Sequence, residues 1–452
     1  LKVLHLKGTS YERGYQHGVL LAEEIEEALS SGITMFALMI GQEMAAPEED
    51  QYQAGLKELI RGKEAMEQFI PPEHRQEMAG IADGLRDQGS DLTYDDIVLW
   101  NTANDCLMLN YSKLEDTDRP GKRHAYPELG CCTISAYGEA TQDGAMIVGK
   151  NMDWSTTPEM RNNPIVMVAD PSDGGYGYLA PIYPGWITSI EGMNEKGIVV
   201  GLEVVPADSE TMHGLGWHFH TNLILKYADS IEDAINIITV YPRTCGDIHQ
   251  VADAKTHRAV VIEYTKDAVG LIYPEKGRDV LWSTNHFNAY PGWQGYKGPN
   301  MVALQTKRMS GLADISSIDA WQMSLELIHK GEAGRYGRIR QLLDQWYGEM
   351  TVEKMIKIVS DRYDMDTGRV IGWDDYGTCV SQMWAKDFEL SKDVQYYKSE
   401  KRGPLYSCGA NIWSLVMVPL AGDLRIAMSG PVPGQKGPFR YLNLHEELER
   451  GQ

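Results

Sequence analysis

Apolar residues between about residue 10 and residue 110 recur three and four apart. AEEIEEALSSGITMFALMIG (22–41), QAGLKELIRGKEAMEQFI (53–70) and HRQEMAGIADGLRD (74–87) each place them on one face, the first and third with acidic residues in the first turn. That spacing predicts helices. LTYDDIVLWNTAND (92–105) predicts another, with Thr93 as its N-cap. From about 112 to 129 the chain turns polar and proline-bearing, which predicts an exposed connector. Beyond it the period changes to two. CTISAYG (132–138) and AMIVGKNMDW (145–154) flank EATQDG, a hairpin signature with a DG turn.

Further strands are predicted in PIVMVAD (164–170), GWITSIEGMN (185–194) and GIVVGLEVV (197–205). Two more hairpins are predicted over 258–274 and 410–430, and helices over 229–241, 318–331 and 351–363. Helices first, then strand pairs interleaved with helices, point to layered sheets covered by helices, an α+β class. No linker-like break interrupts 131–452, so one large domain is the simpler reading.

Composition narrows the function classes. The chain of 452 residues carries a net charge of −22, which disfavours nucleic acid and anionic membranes as partners. No apolar run approaches the length of a membrane span. The chain opens at Leu1 with no basic region ahead of an apolar run. A leader removed before Leu1 fits this, as does a trimmed start, so localisation and any homo-oligomer stay open. Six cysteines, with no CxxC pair and no histidine at zinc spacing, support neither a disulfide framework nor a metal site. His218 and His220 fall at a helix start, where residues two apart diverge. The acidic run DRYDMDTG (361–368) lacks the glycine and terminal glutamate of a calcium loop. No cofactor is expected.

Two adjacent cysteines, Cys131 and Cys132, follow Gly130 at the start of a predicted strand. A thiol there can attack the carbonyl of the preceding residue, and glycine tolerates the distorted backbone this requires. Hydrolysis of the resulting ester would free Cys131 as a new N-terminus. Its α-amine could then act as base for its own thiol. A pair of core cysteines is the plain alternative. Successive strand residues face opposite sides, so one sulfur of the two can face a site. Cys131 is the favoured one, with Cys132 as the alternative.

GCCTISAYGEATQDGAMIVGKNMDW (130–154) resembles the maturation site of N-terminal nucleophile (Ntn) hydrolases, within them the acyl-CoA:6-aminopenicillanic acid acyltransferase family, with choloylglycine hydrolases more distant. GTSYERGYQHG (8–18), GMNEKGIVVGLE (192–203), GWHFHTNLILKYADSIEDAI (216–235), STNHFN (283–288) and NIWSLVMVPLAGDLRIAMSGP (411–431) resemble that family in the same order. The resemblance implies a four-layer αββα sandwich, the Ntn-hydrolase fold, with a mostly helical N-terminal region. It implies cleavage between Gly130 and Cys131, making 1–130 a first chain and 131–452 the catalytic second chain in one compact unit.

The same resemblance makes Cys131 the nucleophile, Asp153 the holder of its α-amine and Asn285 an oxyanion donor. Lys150 stands where choloylglycine hydrolases carry arginine near the nucleophile. Glu203 stands where those relatives carry a second asparagine, and because a carboxylate cannot stabilise an oxyanion, substrate binding is its expected role. Arg308 is the expected basic residue near the site. The activity implied is a self-processing cysteine amidohydrolase acting on a linear, small-molecule amide through an acyl-thioester. An acyl-CoA-dependent amide-forming acyltransferase is one alternative, and a non-catalytic binding protein on the same fold is another.

Overall fold

The computed structural model describes residues 1–113, 130–187, 189–207, 209–304, 330–365, 367–372, 379–380, 388–428 and 437–450. The connector from 114 to 129, most of the helix predicted over 318–331, and Arg308 lie outside the described residues.

Two sheets form the centre. The larger runs in the order β1 (Lys2–Gly8), β4 (Ile165–Pro171), β5 (Tyr178–Ile182), β6 (Glu191–Asn194), β7 (Ile198–Val204), β8 (Asp247–Asp253), β9 (Arg258–Tyr264), β10 (Val269–Ile272). The smaller runs β11 (Val280–Thr284), β2 (Cys132–Ala136), β3 (Ile147–Thr156), β15 (Arg402–Val418), β16 (Asp423–Met428), β17 (Arg440–Asn443), with β14 (Phe388–Gln395) also on β15. A two-residue ribbon of β12 (Tyr363–Asp364) and β13 (Arg369–Val370) stands apart. The DG-turn hairpin is present as β2 and β3, antiparallel in the register Cys132↔Asn151 to Ala136↔Ile147. The hairpins β9–β10 and β15–β16 also fall where the alternation places them.

The sheets pack face to face through β2 against β7 and β8. Thr133 donates to Glu203, and Gln250 donates to Ser135 Oγ at 2.8 Å. Gly201 is required at this contact, because a Cβ there would stand 2.3 Å from Thr133 Oγ1. Outside the larger sheet lie α7 (Trp217–Tyr227) and α8 (Ile231–Val240), tied in by Asn194, whose amide donates to Leu225 O and Ala228 O. Outside the smaller sheet lie α9 (Lys330–Gln345) and α10 (Val352–Val359), whose Ile339, Leu342, Met355 and Ile358 form a core with Cys132, Ile134 and Ile147. A short α6 (Pro158–Asn162) follows β3, and α11 (Leu444–Arg450) follows β17. The architecture is a four-layer αββα sandwich, the layering that the resemblance implies.

The N-terminal segment supplies α1 (Ser10–Leu20), α2 (Ala22–Glu43), α3 (Gln51–Glu67), α4 (Pro72–Asp87) and α5 (Tyr94–Lys113). Thr93 N and Oγ1 both donate to Asp96 at the start of α5, where the sequence placed the cap. α1 and α4 meet backbone to backbone. Cβ atoms on Gly14 and Gly18 would reach 1.9 and 2.3 Å from Glu77 O and Ile81 O, and those on Gly80 and Gly84 would meet Tyr11 O and Tyr15 O. The glycines of GYQHG therefore serve helix packing. This segment is not wholly helical, because β1 pairs in parallel with β4 along the edge of the larger sheet. It is further tied to the rest by Arg13, which bonds Asp173 at 3.2 Å while holding Glu77 of α4 at 3.0 Å, and by Trp100 Nε1 on Pro184 O at 2.9 Å.

Candidate active site

Cys131 immediately precedes β2, so strand alternation sets its direction. Cys132 packs with the α9–α10 core on the outer face, whereas Cys131 packs with the larger core between and around the sheets. The two sulfurs thus face different layers. Both are buried. Burial pushes the Cys131 thiol up to about 12, against the pull of the nearby Lys150 ammonium. Its sulfur lies 3.8 Å from the backbone carbonyl of Asp153.

β3 and β11 flank β2 and bring the other candidates alongside. Thr284 pairs with Cys132, so Asn285, one residue beyond the end of β11, stands opposite Cys131 in the continued register. On the other side Cys132 pairs with Asn151, which sets Asp153 two residues further along β3 toward Gly130. Asp153 pairs in turn with Asn411 on β15, at a bulge where Asn411 and Trp413 oppose Asp153 and Met152. The bulge aims the Asn411 amide at Asp153 Oδ1, 2.8 Å away, and at Trp413 O, 3.1 Å away.

Asp153 Oδ2 is buried and has no hydrogen-bond partner among the described residues. Burial pushes the Asp153 carboxyl up to about 7, opposed by the charge of Arg335, the Asn411 hydrogen bond and Lys150.

Asn285 Nδ2 donates to Val204 O at 2.9 Å, and Arg335 Nη2 donates to its Oδ1 at 3.1 Å. A guanidinium has no acceptor, so this contact fixes which end of the carboxamide is oxygen. Arg335, on α9, is fully buried, and no role was expected of it from sequence. Its setting GRYGRIR reads as a solvated helix face, and nothing in the local pattern marks one arginine as core. Asn411 was visible only as part of a quoted motif.

Lys150 and Glu203 form a buried ion pair between the sheets, 3.1 Å apart, with Lys150 also donating to Leu202 O. Burial works to discharge the Lys150 ammonium, but Glu203, Cys131 and Glu191 outweigh it and hold its pKa above the ordinary range. Glu203 accepts from Thr133 on Oε1 and from Ser283 on Oε2 at 2.8 Å. Both of its oxygens are therefore committed to protein donors. Its carboxylate meets Lys150, and Glu191, 4.0 Å from Lys150, is a second buried acid in the cluster.

His218 and His220 sit in the first turn of α7. His218 stacks on Trp217 and lies 3.6 Å from Asp105, while His220 meets Tyr241 and Tyr264 edge-on. Asp361 of the acidic run holds Arg338 through two contacts, at 2.9 and 3.0 Å.

Fold and site define an αββα protein with a cysteine one residue ahead of an inner strand, flanked by an aspartate and an asparagine on the neighbouring strands. Residues 140–377 match the family model described as acyl-coenzyme A:6-aminopenicillanic acid acyl-transferase, and the chain belongs to that family. The match begins nine residues after Cys131 and includes Lys150, Asp153, Glu203 and Asn285. An uncharacterised protein of Archaeoglobus fulgidus is 26% identical over 365 residues, covering 78% of this chain and 56% of that one. The protein dcd1B of Dictyostelium discoideum is 25% identical over 287 residues, 60% of this chain and 51% of its own. The chain thus spans little more than half the length of these relatives.

Among solved structures, a mutant of the conjugated bile acid hydrolase of Clostridium perfringens is similar at TM-score 0.38 and 15% identity, covering 70% of this chain and 93% of that one. A Caenorhabditis elegans ortholog of N-acylethanolamine-hydrolyzing acid amidase is similar at TM-score 0.36 and 13% identity, covering 64% and 93%.

Proposed function

We propose that this chain is a self-processing cysteine amidohydrolase acting on a linear, non-protein amide. In the first step Cys131 Sγ attacks the Gly130 carbonyl carbon and the Gly130–Cys131 C–N bond breaks. This leaves a thioester and a free α-amine, and one water then hydrolyses the thioester to a Gly130 carboxylate and a free thiol. In turnover the thiol attacks the substrate amide carbonyl and its proton passes to the α-amine and on to the leaving amine. The acyl-thioester is released by a second water. Asn285 is the oxyanion donor, its orientation fixed by Arg335. Lys150 favours thiolate by its charge, with Glu203 balancing that charge.

The observation that carries the reading is Asp153. A buried carboxylate oxygen without a donor is costly, and it lies on the strand beside Cys131, on the side of the Gly130 peptide. An α-ammonium released there would satisfy it. Because the family's description names an acyl-transferase, release of the acyl group to an amine is the second reading. Acyl-CoA offered as donor with hydroxylamine or an amine acceptor separates the two, because amide formation from the thioester donor is expected of the acyltransferase reading alone.

The test is the intact mass of denatured protein for wild type, Cys131→Ala and Cys132→Ala. Fragments 1–130 and 131–452 in wild type and Cys132→Ala, with one uncut chain in Cys131→Ala, support the reading. A cut one residue later, lost only in Cys132→Ala, moves every role by one. An uncut chain in all three rejects the amine-base mechanism.

A further inference from the structure

A cavity of about 160 Å³ opens where β10, the edge of the larger sheet, approaches β11, the edge of the smaller one, beneath α9. Its walls include Val261 and Ile272, a cross-strand pair of β9 and β10, together with the rings of Trp282, Trp293 and Tyr336. We propose that this cavity is a subsite for one uncharged aromatic ring, carried at the end of the substrate remote from the scissile amide.

Three observations carry it. The first is size. A cavity of ~150 Å³ accepts a benzene molecule, so this volume matches a single ring. The second is the walls, since four aromatic side chains, Tyr273, Trp282, Trp293 and Tyr336, line the void and offer stacked and edge-on partners to a ring. Trp282 and Tyr336 already lie 5.0 Å apart between centroids.

The third is charge. The charged groups that line the mouth, Glu275, Arg278 and Arg340, each have an opposite charge beside them. Arg340 lies 3.8 Å from Glu275, and Arg278 donates to Asp344, which stands behind the lining and lies 3.9 Å from Arg340. A neutral mouth selects against ionised ligands. The loop bearing Trp293 holds Gly292, Gln294 and Gly295 at positive φ. For Gln294, at φ 48°, this is a conformation that non-glycine residues adopt rarely.

The cavity and the proposed site draw on the same two elements, β11 and α9. Tyr336 follows Arg335 on α9, and Trp282 precedes Asn285 by three residues along β11, about 10 Å at a strand's rise. Trp282 packs on the outer face with Cys132 and Ile134, so a ring held here would reach the scissile amide round the edge strand β11, over a path on the order of 10 Å or more. The placement of the ring within a substrate therefore rests on the reading above, but ring binding does not.

The test uses the full chain in a Cys131→Ala background, with N-benzylacetamide as the probe and ring-proton saturation transfer as the readout. Ile272→Phe fills the cavity from its floor. Trp293→Ala removes a wall on a partly exposed loop, where folding is not at stake. Saturation of the ring protons that falls at least fivefold in both variants, with benzoate and benzylamine binding more weakly than the neutral amide, supports the subsite. Equal saturation in the parent and both variants overturns it, as does no binding to the parent or charged probes binding as well as the neutral one. Failure of chain cleavage or of turnover sinks the mechanism at Cys131 and leaves this result standing.

Discussion

Asn411 grips one carboxylate oxygen of Asp153 at 2.8 Å and leaves the other, fully buried, with no donor among the described residues. The bulge in β15 at this pair makes the grip one-sided. A half-satisfied buried acid carries a desolvation cost that an ordinary core avoids.

The first prediction concerns stability against pH. Asp153 titrates at about 7 in the folded chain, raised by burial from an ordinary value of 3.8. Between those values the native state holds more protons than the unfolded state, so stability falls as pH rises from about 4 to 7. Asp153→Asn keeps the contact with Asn411 and removes this slope. In a Cys131→Ala background the variant should be more stable than its parent at pH 8, by up to ~4 kcal/mol at 1.36 kcal/mol per pH unit, and indistinguishable from it at pH 4. Glu191, raised to about 7, and Glu263, raised to about 8, have the same sign and should leave a residual slope. Urea midpoints at pH 4 and pH 8 decide the matter. In the processed enzyme the same substitution should cut turnover at least 100-fold.

The second prediction concerns the charges between the sheets. Lys150 and Glu203 are both fully buried and 3.1 Å apart, so removing either partner strands the other. Lys150→Met and Glu203→Gln should each cost about 3–5 kcal/mol. The double variant should cost less than the sum by at least 1 kcal/mol, the coupling expected of partners in direct contact. Additive losses in denaturant titrations would show that the pair is not a unit.

Much of the architecture can be read along the chain because periodicity is a local signal. The DG turn fixed the β2–β3 hairpin, and the three- and four-residue spacing revealed α2 to α5. β1 escaped because LKVLHLKG is too short to stand alone, and it is a strand by virtue of β4, more than 150 residues away. In the site, Cys131, Asp153 and Asn285 could be singled out by resemblance to a family. Arg335 could not, because its burial comes from packing against β11 and leaves no mark in its neighbours. Glu203 shows the same limit from the other side. Its identity suggested a group facing a substrate, but its surroundings of Lys150, Thr133 and Ser283 turn it inward, and those partners come from strands of the opposite sheet.

The third prediction concerns the helix contact at the N-terminal segment. A Cβ on Gly14 would stand 1.9 Å from Glu77 O, a backbone atom that cannot turn aside. Gly14→Ala should therefore destabilise the protein despite alanine's better helix propensity, reversing the usual gain of up to ~1 kcal/mol. Gly337→Ala on α9 is the control, since nothing lies within 4 Å of a Cβ there. Thermal unfolding of the two variants should move in opposite directions.

The last prediction separates Asn285 from Arg335. Removing one preorganised oxyanion donor costs about 100- to 1000-fold in kcat, so Asn285→Ala should show that loss with KM little changed. Arg335 acts through Asn285 Oδ1, 3.1 Å away, and through its charge on Asp153. Arg335→Met should lower kcat less than Asn285→Ala does, and in Asn285→Ala it should have little further effect on kcat. Its second effect is on titration. Arg335 pulls the Asp153 pKa down, so its loss should raise that pKa and move the acid limb of the pH–rate profile upward. Arg335→Lys keeps the charge but loses the planar fork that reads a carboxamide oxygen. It should restore the acid limb and leave kcat low. A lysine that restores both, or a methionine that moves neither, would mean that Arg335 only fills space.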